Sequence, residues 1–436
     1  MIPDRTRAAG TRAIGLRTDA YELTMLDATL RSGTADVRAV FEVFTRGLPD
    51  GYGYGIVAGL GRLVDELQEF RFGDDELEYL AATRLVHDTT LDWLGRYRFT
   101  GSIDAYREGE TFFPFSPVLT VEAGFGEAVV LETIVLSVLN HDSAVASGAS
   151  RMVDAAAGRT LIEGGSRRTH EDAAVAAARA AYIAGFASTS NLEAGRRYGI
   201  PTAGTAAHAF TLVYPSERDA FAAQVAALGP GTTLLVDTFD VAAGIRTAVD
   251  VAGPGLGAVR IDSGDLATEV PRARALLDEL GATRTRIVAS GDLDEHAIAR
   301  LRGTPVDTFL VGTKVVLAPT PGFVYKLVAV GEEPREERRL RGVAKLSVGK
   351  ASTAGKKRAF RFRDPEGHAD AEHLFLDDRT PAGGRPLQVR VVTDGVVAAQ
   401  PSLEESRAHA SAARAELPDG ARELSGRGAS ITATMV

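Results

Sequence analysis

The tetrapeptide Ser-Gly-Asp-Leu occurs twice in this chain, at Ser263–Leu266 and at Ser290–Leu293, 27 residues apart. One copy follows the β-like run Ala258-Val259-Arg260-Ile261, the other Arg286-Ile287-Val288-Ala289, and each precedes a helix-like segment. The interval matches one strand-plus-helix unit. Two neighbouring strands therefore end in the same small, polar turn. An α/β fold with a parallel sheet repeats such turns at one end of its strands and places its chemistry there.

The rhythm extends to both sides. Strand-like runs occur at Gly199–Thr202, Leu234–Val236, Ala258–Ile261, Ile287–Ala289 and Thr308–Val311. Between them the periodicity predicts helices near Glu217–Leu228, Ala242–Val251, Glu269–Leu280 and Asp294–Leu301, the first with a Ser216/Asp219 cap. Parallel strands joined by right-handed crossovers follow.

The flanks read differently. A helix is expected over Thr18–Ser32, capped by Thr18, and a half-buried strand over Val37–Phe44. Helices follow at Leu60–Phe70 and Asp74–Leu94, a β-rich section at Phe99–Val121 and a long helix at Glu127–Ala157. After Pro321, Val343–Arg363 is basic and hairpin-like, Glu404–Glu416 is helical, and Pro418–Val436 reads as a loose tail. At 436 residues, more than one domain is expected. The divisions read from the sequence are an N-terminal helix at 14–35, an α+β domain from 36–125 with 340–400, an α/β barrel at 126–339, and a C-terminal helix and tail at 401–436.

A formal net charge of −9 argues against a nucleic-acid partner. The chain has no cysteine, which excludes disulfides, thiolate zinc sites and cysteine nucleophiles. Met1–Arg17 carries arginines but no apolar core, so it does not read as a secretory signal. The most apolar stretch, Ala128–Leu139, is interrupted by Glu132 and is short for a bilayer span. A cytoplasmic protein with no membrane partner is the expectation.

Small and polar residues recur after each barrel strand. They are Gly204-Thr205-Ala206-Ala207-His208, then Asp237, Thr238 and Asp240, then Arg260, Asp262, Ser263 and Asp265, then Ser290-Gly291-Asp292, then Gly312-Thr313-Lys314. Glycine and hydroxyl turns free backbone N–H groups for phosphate oxygens. Asp237, Asp262 and Asp265 suit ribose hydroxyls or Mg²⁺, or else they cap helices. Arg260 can fork a carboxylate or phosphate. Neither a Gly-x-x-x-x-Gly-Lys-Ser/Thr loop nor a Gly-x-Gly-x-x-Gly turn after a strand is present. His208 is a structural residue, a general base or a phosphoryl acceptor. Glu163-Gly164-Gly165-Ser166-Arg167-Arg168, the hydroxyl-rich Ser188-Thr189-Ser190-Asn191, and Thr18-Asp19-Ala20-Tyr21 complete the candidates.

At these residues the chain resembles the nicotinate phosphoribosyltransferases, of the type II phosphoribosyltransferase kind. The resemblance runs over nearly the whole length. It includes Thr18-Asp19-x-Tyr21-Glu22-Leu23-Thr24-Met25, Phe41-Glu42, Glu163-x-Gly165-x-Arg167-Arg168, Gly185-Phe186 and Ser188–Asn191. It continues through Gly204-Thr205-x-Ala207-His208, Arg260-x-Asp262-Ser263-Gly264-Asp265-Leu266, Ser290–Leu293, Gly312-Thr313 and Lys345-Leu346-Ser347-x-x-Lys350.

The resemblance implies an irregular (β/α) barrel beside an α+β domain built from both chain ends. It implies transfer of 5-phosphoribosyl from its 1-pyrophosphate to nicotinate, coupled to ATP hydrolysis, with Mg²⁺ on the pyrophosphate and no zinc. His208 is then the residue phosphorylated by ATP, and Asp262 a ribose-side catalytic group. Thr205, Arg260, Arg167 and Ser190 become nicotinate contacts, with Tyr21 and Asp19 reaching the site from the other subunit of a homodimer. Asp265, Gly291, Asp292, Gly312 and Thr313 match the phosphoribosyl pyrophosphate cradle. Ser190 stands where nicotinamide-using relatives carry Asp, which favours the carboxylate substrate. Gly164 stands where many relatives have a Phe that closes the ring's second face. The competing readings are nicotinamide or quinolinate as the base, and a silent binder of phosphoribosyl compounds.

Overall fold

In the computed structural model of the chain, residues 13–332, 340–347, 352–424 and 431–436 are described. Lys350 of the basic segment and Arg5, Arg7 and Arg12 lie outside them. The chain forms two compact units. One comprises the residues up to Ser143, Thr320–Ala421 and Arg427–Val436, and the other Ala144–Pro319 with Arg422–Gly426. The division points fall at Ser143, inside the Glu132–Ala156 helix, and before Thr320.

The second unit is built on a parallel sheet. Its strands lie in the order Ser188–Thr189, Thr160–Glu163, Thr308–Val311, Arg286–Ala289, Ala258–Ile261 and Thr233–Leu235. Thr202 adds one parallel bridge to Thr189 at the outer edge. The sheet curls as an incomplete barrel, the class that the βα alternation predicts. Helices between the strands are capped by side chains at the strand-exit turns. Asp240 accepts from Ala243 N at 2.8 Å and Asp294 from Ala297 N at 2.7 Å. Two strands were not foreseen. Ser188–Thr189 has no apolar run to announce it, and Thr160–Glu163 ends in a carboxylate followed by two glycines. The expected Gly199–Thr202 strand reduces to the Thr202 bridge.

The first unit holds a seven-stranded antiparallel sheet ordered Leu340–Gly342, Val324–Gly331, Arg38–Phe44, Leu119–Gly124, Ser102–Tyr106, Gln388–Thr393 and Val396–Val397. The half-buried strand expected over Val37–Phe44 forms as Arg38–Phe44, but Ala39 to Phe44 are all buried. Ala39, Phe41 and Val43 face the main core, and on the other face Glu42 binds Lys357 Nζ at 2.7 Å. The single helix expected over Asp74–Leu94 is two, Asp74–Thr83 and Asp88–Gly95. Arg84 turns left-handed at φ 54°, and Asp27 secures the restart by accepting from His87 N at 2.9 Å and Thr90 Oγ1 at 2.7 Å. The expected loose tail also acquires structure, because Ala433–Met435 pairs in parallel with Glu372–Leu374. Phe125–Ala156 is long and apolar enough to cross a membrane, longer than the stretch read from sequence. Its Val130, Leu131, Val135, Val138 and Leu139 lie instead in the protein's own core.

The helix Ala20–Ser32 starts at Asp19, not at a Thr18 cap. The Thr18 hydroxyl bonds the carboxylate of Glu22, which also accepts from Thr133 N at 3.0 Å. Glu22 is fully buried, and burial pushes its carboxyl up to about 7, against the opposing pull of the Thr133 and Thr18 hydroxyls. From its ordinary value of 4.5 up to about 7, the folded chain retains a proton that the unfolded chain releases. Stability should therefore fall as pH rises through that window, by up to about 3 kcal/mol. Glu22→Gln is expected to flatten the decline in Tm between pH 5 and pH 7, and an unchanged slope would refute this account.

Candidate active site

Arg260 is the hub of the strand-exit end of the parallel sheet. Its side chain is 11 % exposed. Nε donates to Ser290 Oγ at 2.8 Å and Nη2 to Asp262 Oδ1 at 2.7 Å. Nη1 donates to Thr205 Oγ1 at 3.0 Å and to the Ala206 carbonyl at 3.2 Å. The Ser290 hydroxyl also donates to Asp262. Burial works to raise the Asp262 carboxyl, but the Ser290 hydroxyl and the Arg260 guanidinium outweigh it and hold the group below its ordinary range. Asp262 thus stays an anion at neutral pH, beside a fixed cation.

Asp237, at the exit of the neighbouring strand, accepts from Asp262 N at 2.9 Å and from Ser263 Oγ at 2.6 Å through Oδ2. Its side chain is 1 % exposed, and its Oδ1 is buried without a hydrogen-bond partner. His208 Nε2 lies 3.9 Å from that oxygen. His208 Nδ1 meets Thr238 Oγ1 at 3.1 Å, and the imidazole is partly open to solvent. In the tautomer in which Nδ1 donates to Thr238, Nε2 keeps its lone pair. Asp237 was read from the sequence as a ribose or Mg²⁺ candidate, not as a neighbour of His208. After the apolar run Leu234-Leu235-Val236 it looks like any loop aspartate, and only the register shows it beneath the imidazole.

The second Ser-Gly-Asp-Leu turn needs its glycine. Gly291 has φ +106°, and a Cβ there would meet the Asp262 carbonyl at 2.3 Å. Asp292 follows at φ 46°, exposed. In the first turn Asp265 caps the Leu266–Glu279 helix, accepting from Ala267 N at 3.2 Å and Thr268 Oγ1 at 2.6 Å. Both of its oxygens are therefore engaged by its own turn. Gly312 and Thr313 form the exit of the Thr308–Val311 strand.

Next to them Gly164 N donates to the Val311 carbonyl at 2.7 Å. Glu163 is buried and accepts from Gly165 N and, at 2.5 Å, from Thr189 Oγ1. Burial raises the Glu163 carboxyl even so. Ser190 N reaches the Glu163 carbonyl at 2.8 Å, leaving the Ser190 side chain exposed. Arg167 is exposed and without a hydrogen bond or ion pair among the described residues. Arg260, Asp262, Ser290, Thr205, His208 and Asp237 thus converge, and Asp265 and Arg167 stand outside that network. In the other unit, Tyr21 is 46 % exposed and its hydroxyl faces Glu132, while Asp19 is the exposed N-cap.

Comparison with known proteins shows the family to which the chain belongs. The family model described as the nicotinate phosphoribosyltransferase N-terminal domain matches residues 16–140. The chain is 54 % identical over 429 residues to "Nicotinate phosphoribosyltransferase pncB1" of Mycobacterium tuberculosis, covering 95 % of this chain and 92 % of that one. The chain belongs to the nicotinate phosphoribosyltransferase family. The Bacillus subtilis member is 37 % identical over 381 residues, covering 84 % of this chain and 77 % of its own length. The solved structure of the human nicotinic acid phosphoribosyltransferase superposes with a TM-score of 0.82 at 27 % identity, covering 96 % of this chain and 97 % of that one. The mixed α/β fold with its incomplete parallel barrel is therefore shared with the human enzyme.

Proposed function

We propose that this chain is an ATP-coupled nicotinate phosphoribosyltransferase. Nicotinate, 5-phosphoribosyl 1-pyrophosphate, ATP and water give nicotinate mononucleotide, pyrophosphate, ADP and phosphate. The observation that carries the reading is Arg260, a preformed cation aimed at the strand-exit face by four hydrogen bonds. Its remaining Nη2 N–H would donate to the nicotinate carboxylate, with Thr205 and the exposed Ser190 and Arg167 as further contacts. Ser190 brings no charge to repel that carboxylate.

The pyridine nitrogen uses its own lone pair to form the bond to ribose C1 while the C1–O bond to pyrophosphate breaks, so no strong base is required. Positive charge builds on the sugar as in glycoside cleavage. Asp262, held ionised, would stabilise it. Gly291, Asp292, Gly312 and Thr313 would offer turn amides to the substrate's phosphates, and Asp265 would act through the turn it closes. Among the described residues no three His, Asp or Glu converge as a metal centre. The partnerless Asp237 Oδ1, with Asp262, fits an ion carried in by the substrate. Mg²⁺ there would neutralise charge on the leaving pyrophosphate.

His208 is proposed to take the γ-phosphoryl group of ATP on Nε2, and its later hydrolysis would drive the transfer forward. Tyr21 and Asp19 are proposed to serve the site of the other subunit in a cytoplasmic homodimer. Rates with nicotinate, nicotinamide and quinolinate in parallel test the base assignment. Nicotinate is expected to exceed the others at least about ten-fold in kcat/KM. Nicotinamide turned over as fast as nicotinate would refute it.

A further inference from the structure

The sheet face that carries Arg260 is not polar throughout. The register pairs Ile261 with Ala289 and Ala289 with Phe309. The next residues, Asp262, Ser290 and Leu310, therefore follow side by side on the opposite face. Leu310 pairs in turn with Ile162, and Ile162 with Ser188. Phe309, Val311 and Leu161, which alternate with this row, are sealed in the core. Leu310 and Ile162 are only half-buried. Two branched aliphatic side chains are thus left partly open in the row that contains Ser290 and Asp262.

Leu310 also lies over the Gly164 strand exit, which has no side chain and sits beside Gly312. A Cβ on Gly164 would come 2.8 Å from Leu310 Cδ2, and one on Gly312 would come 3.3 Å from the Gly164 carbonyl. The result is an apolar patch with the Arg260–Ser290 pair on one side and Ser188 on the other. A flat aromatic acid needs that pairing, an apolar surface for its ring face and a cation at one edge for its carboxylate.

We propose that Leu310, backed by Ile162, is the surface against which the pyridine ring packs, and that its size sets the largest base the site admits. This rests on the nicotinate reading above. Leu310→Ala should lower kcat/KM for nicotinate about ten-fold, mainly through KM. It should leave the KM for phosphoribosyl pyrophosphate within about two-fold. The same change should raise the relative kcat/KM of quinoline-3-carboxylate, a bicyclic analogue, about ten-fold against nicotinate. A merely structural loss would lower both bases together. Leu310→Val removes less volume, and should move the ratio the same way by a smaller factor if the alanine variant does not fold. An unchanged ratio in the folded variants, with wild type turning over nicotinate, overturns the Leu310 assignment. A wild type that makes no nicotinate mononucleotide overturns the underlying reading instead.

Discussion

Replacing Arg260 by lysine is expected to raise the KM for nicotinate on the order of 100-fold, a loss of about 3 kcal/mol. The charge is kept, so the effect isolates geometry. The guanidinium is held in one plane by Ser290, Thr205, the Ala206 carbonyl and Asp262. An ammonium has only three N–H groups, so it cannot satisfy those four partners and also donate to a carboxylate, whereas the guanidinium keeps one Nη2 N–H free. The change should also free Asp262 and Ser290, so kcat should fall too, by a smaller factor. Steady-state kinetics with nicotinate varied at saturating phosphoribosyl pyrophosphate separate the two. A KM within a factor of two of wild type would mean that the carboxylate is bound elsewhere, with the exposed Arg167 the next cation to test.

The second large effect is expected at His208. His208→Ala should abolish incorporation of label from γ-labelled ATP and remove the stimulation of product formation by ATP, on the order of 100-fold in coupled turnover. Asp237→Asn should weaken labelling while sparing the fold, because its Oδ2 contacts to Asp262 N and Ser263 can still be made. Persistent labelling of the alanine variant would refute the phosphoryl-acceptor role.

How much of this was legible in the sequence depends on what each residue's signal competes with. The βα alternation from Leu234 to Val311 is plain because strands buried on both faces form unbroken apolar runs bounded by turn residues. The same property hides Leu310, since the run Thr308–Val311 does not show which side chain is sealed and which is open. Ser188–Thr189 carries no apolar signal, and its place in the sheet comes wholly from pairing with Ile162 and Glu163. Asp265 presents the opposite ambiguity. A loop aspartate after Ser-Gly suits a phosphate site and a helix cap equally, and the geometry commits its carboxylate to the cap. The two Ser-Gly-Asp-Leu turns differ for the same reason. The first ends in a capping aspartate, whereas the second has its serine bonded to Arg260 and its aspartate left-handed and exposed. Long-range pairing, not local pattern, decides such cases.

The central claim is tested most directly by following nicotinate mononucleotide formed by the wild-type chain from nicotinate, phosphoribosyl pyrophosphate and Mg²⁺, with and without ATP. The account predicts product in both arms, more rapid with ATP and accompanied by ADP. No nicotinate mononucleotide in either arm would contradict it.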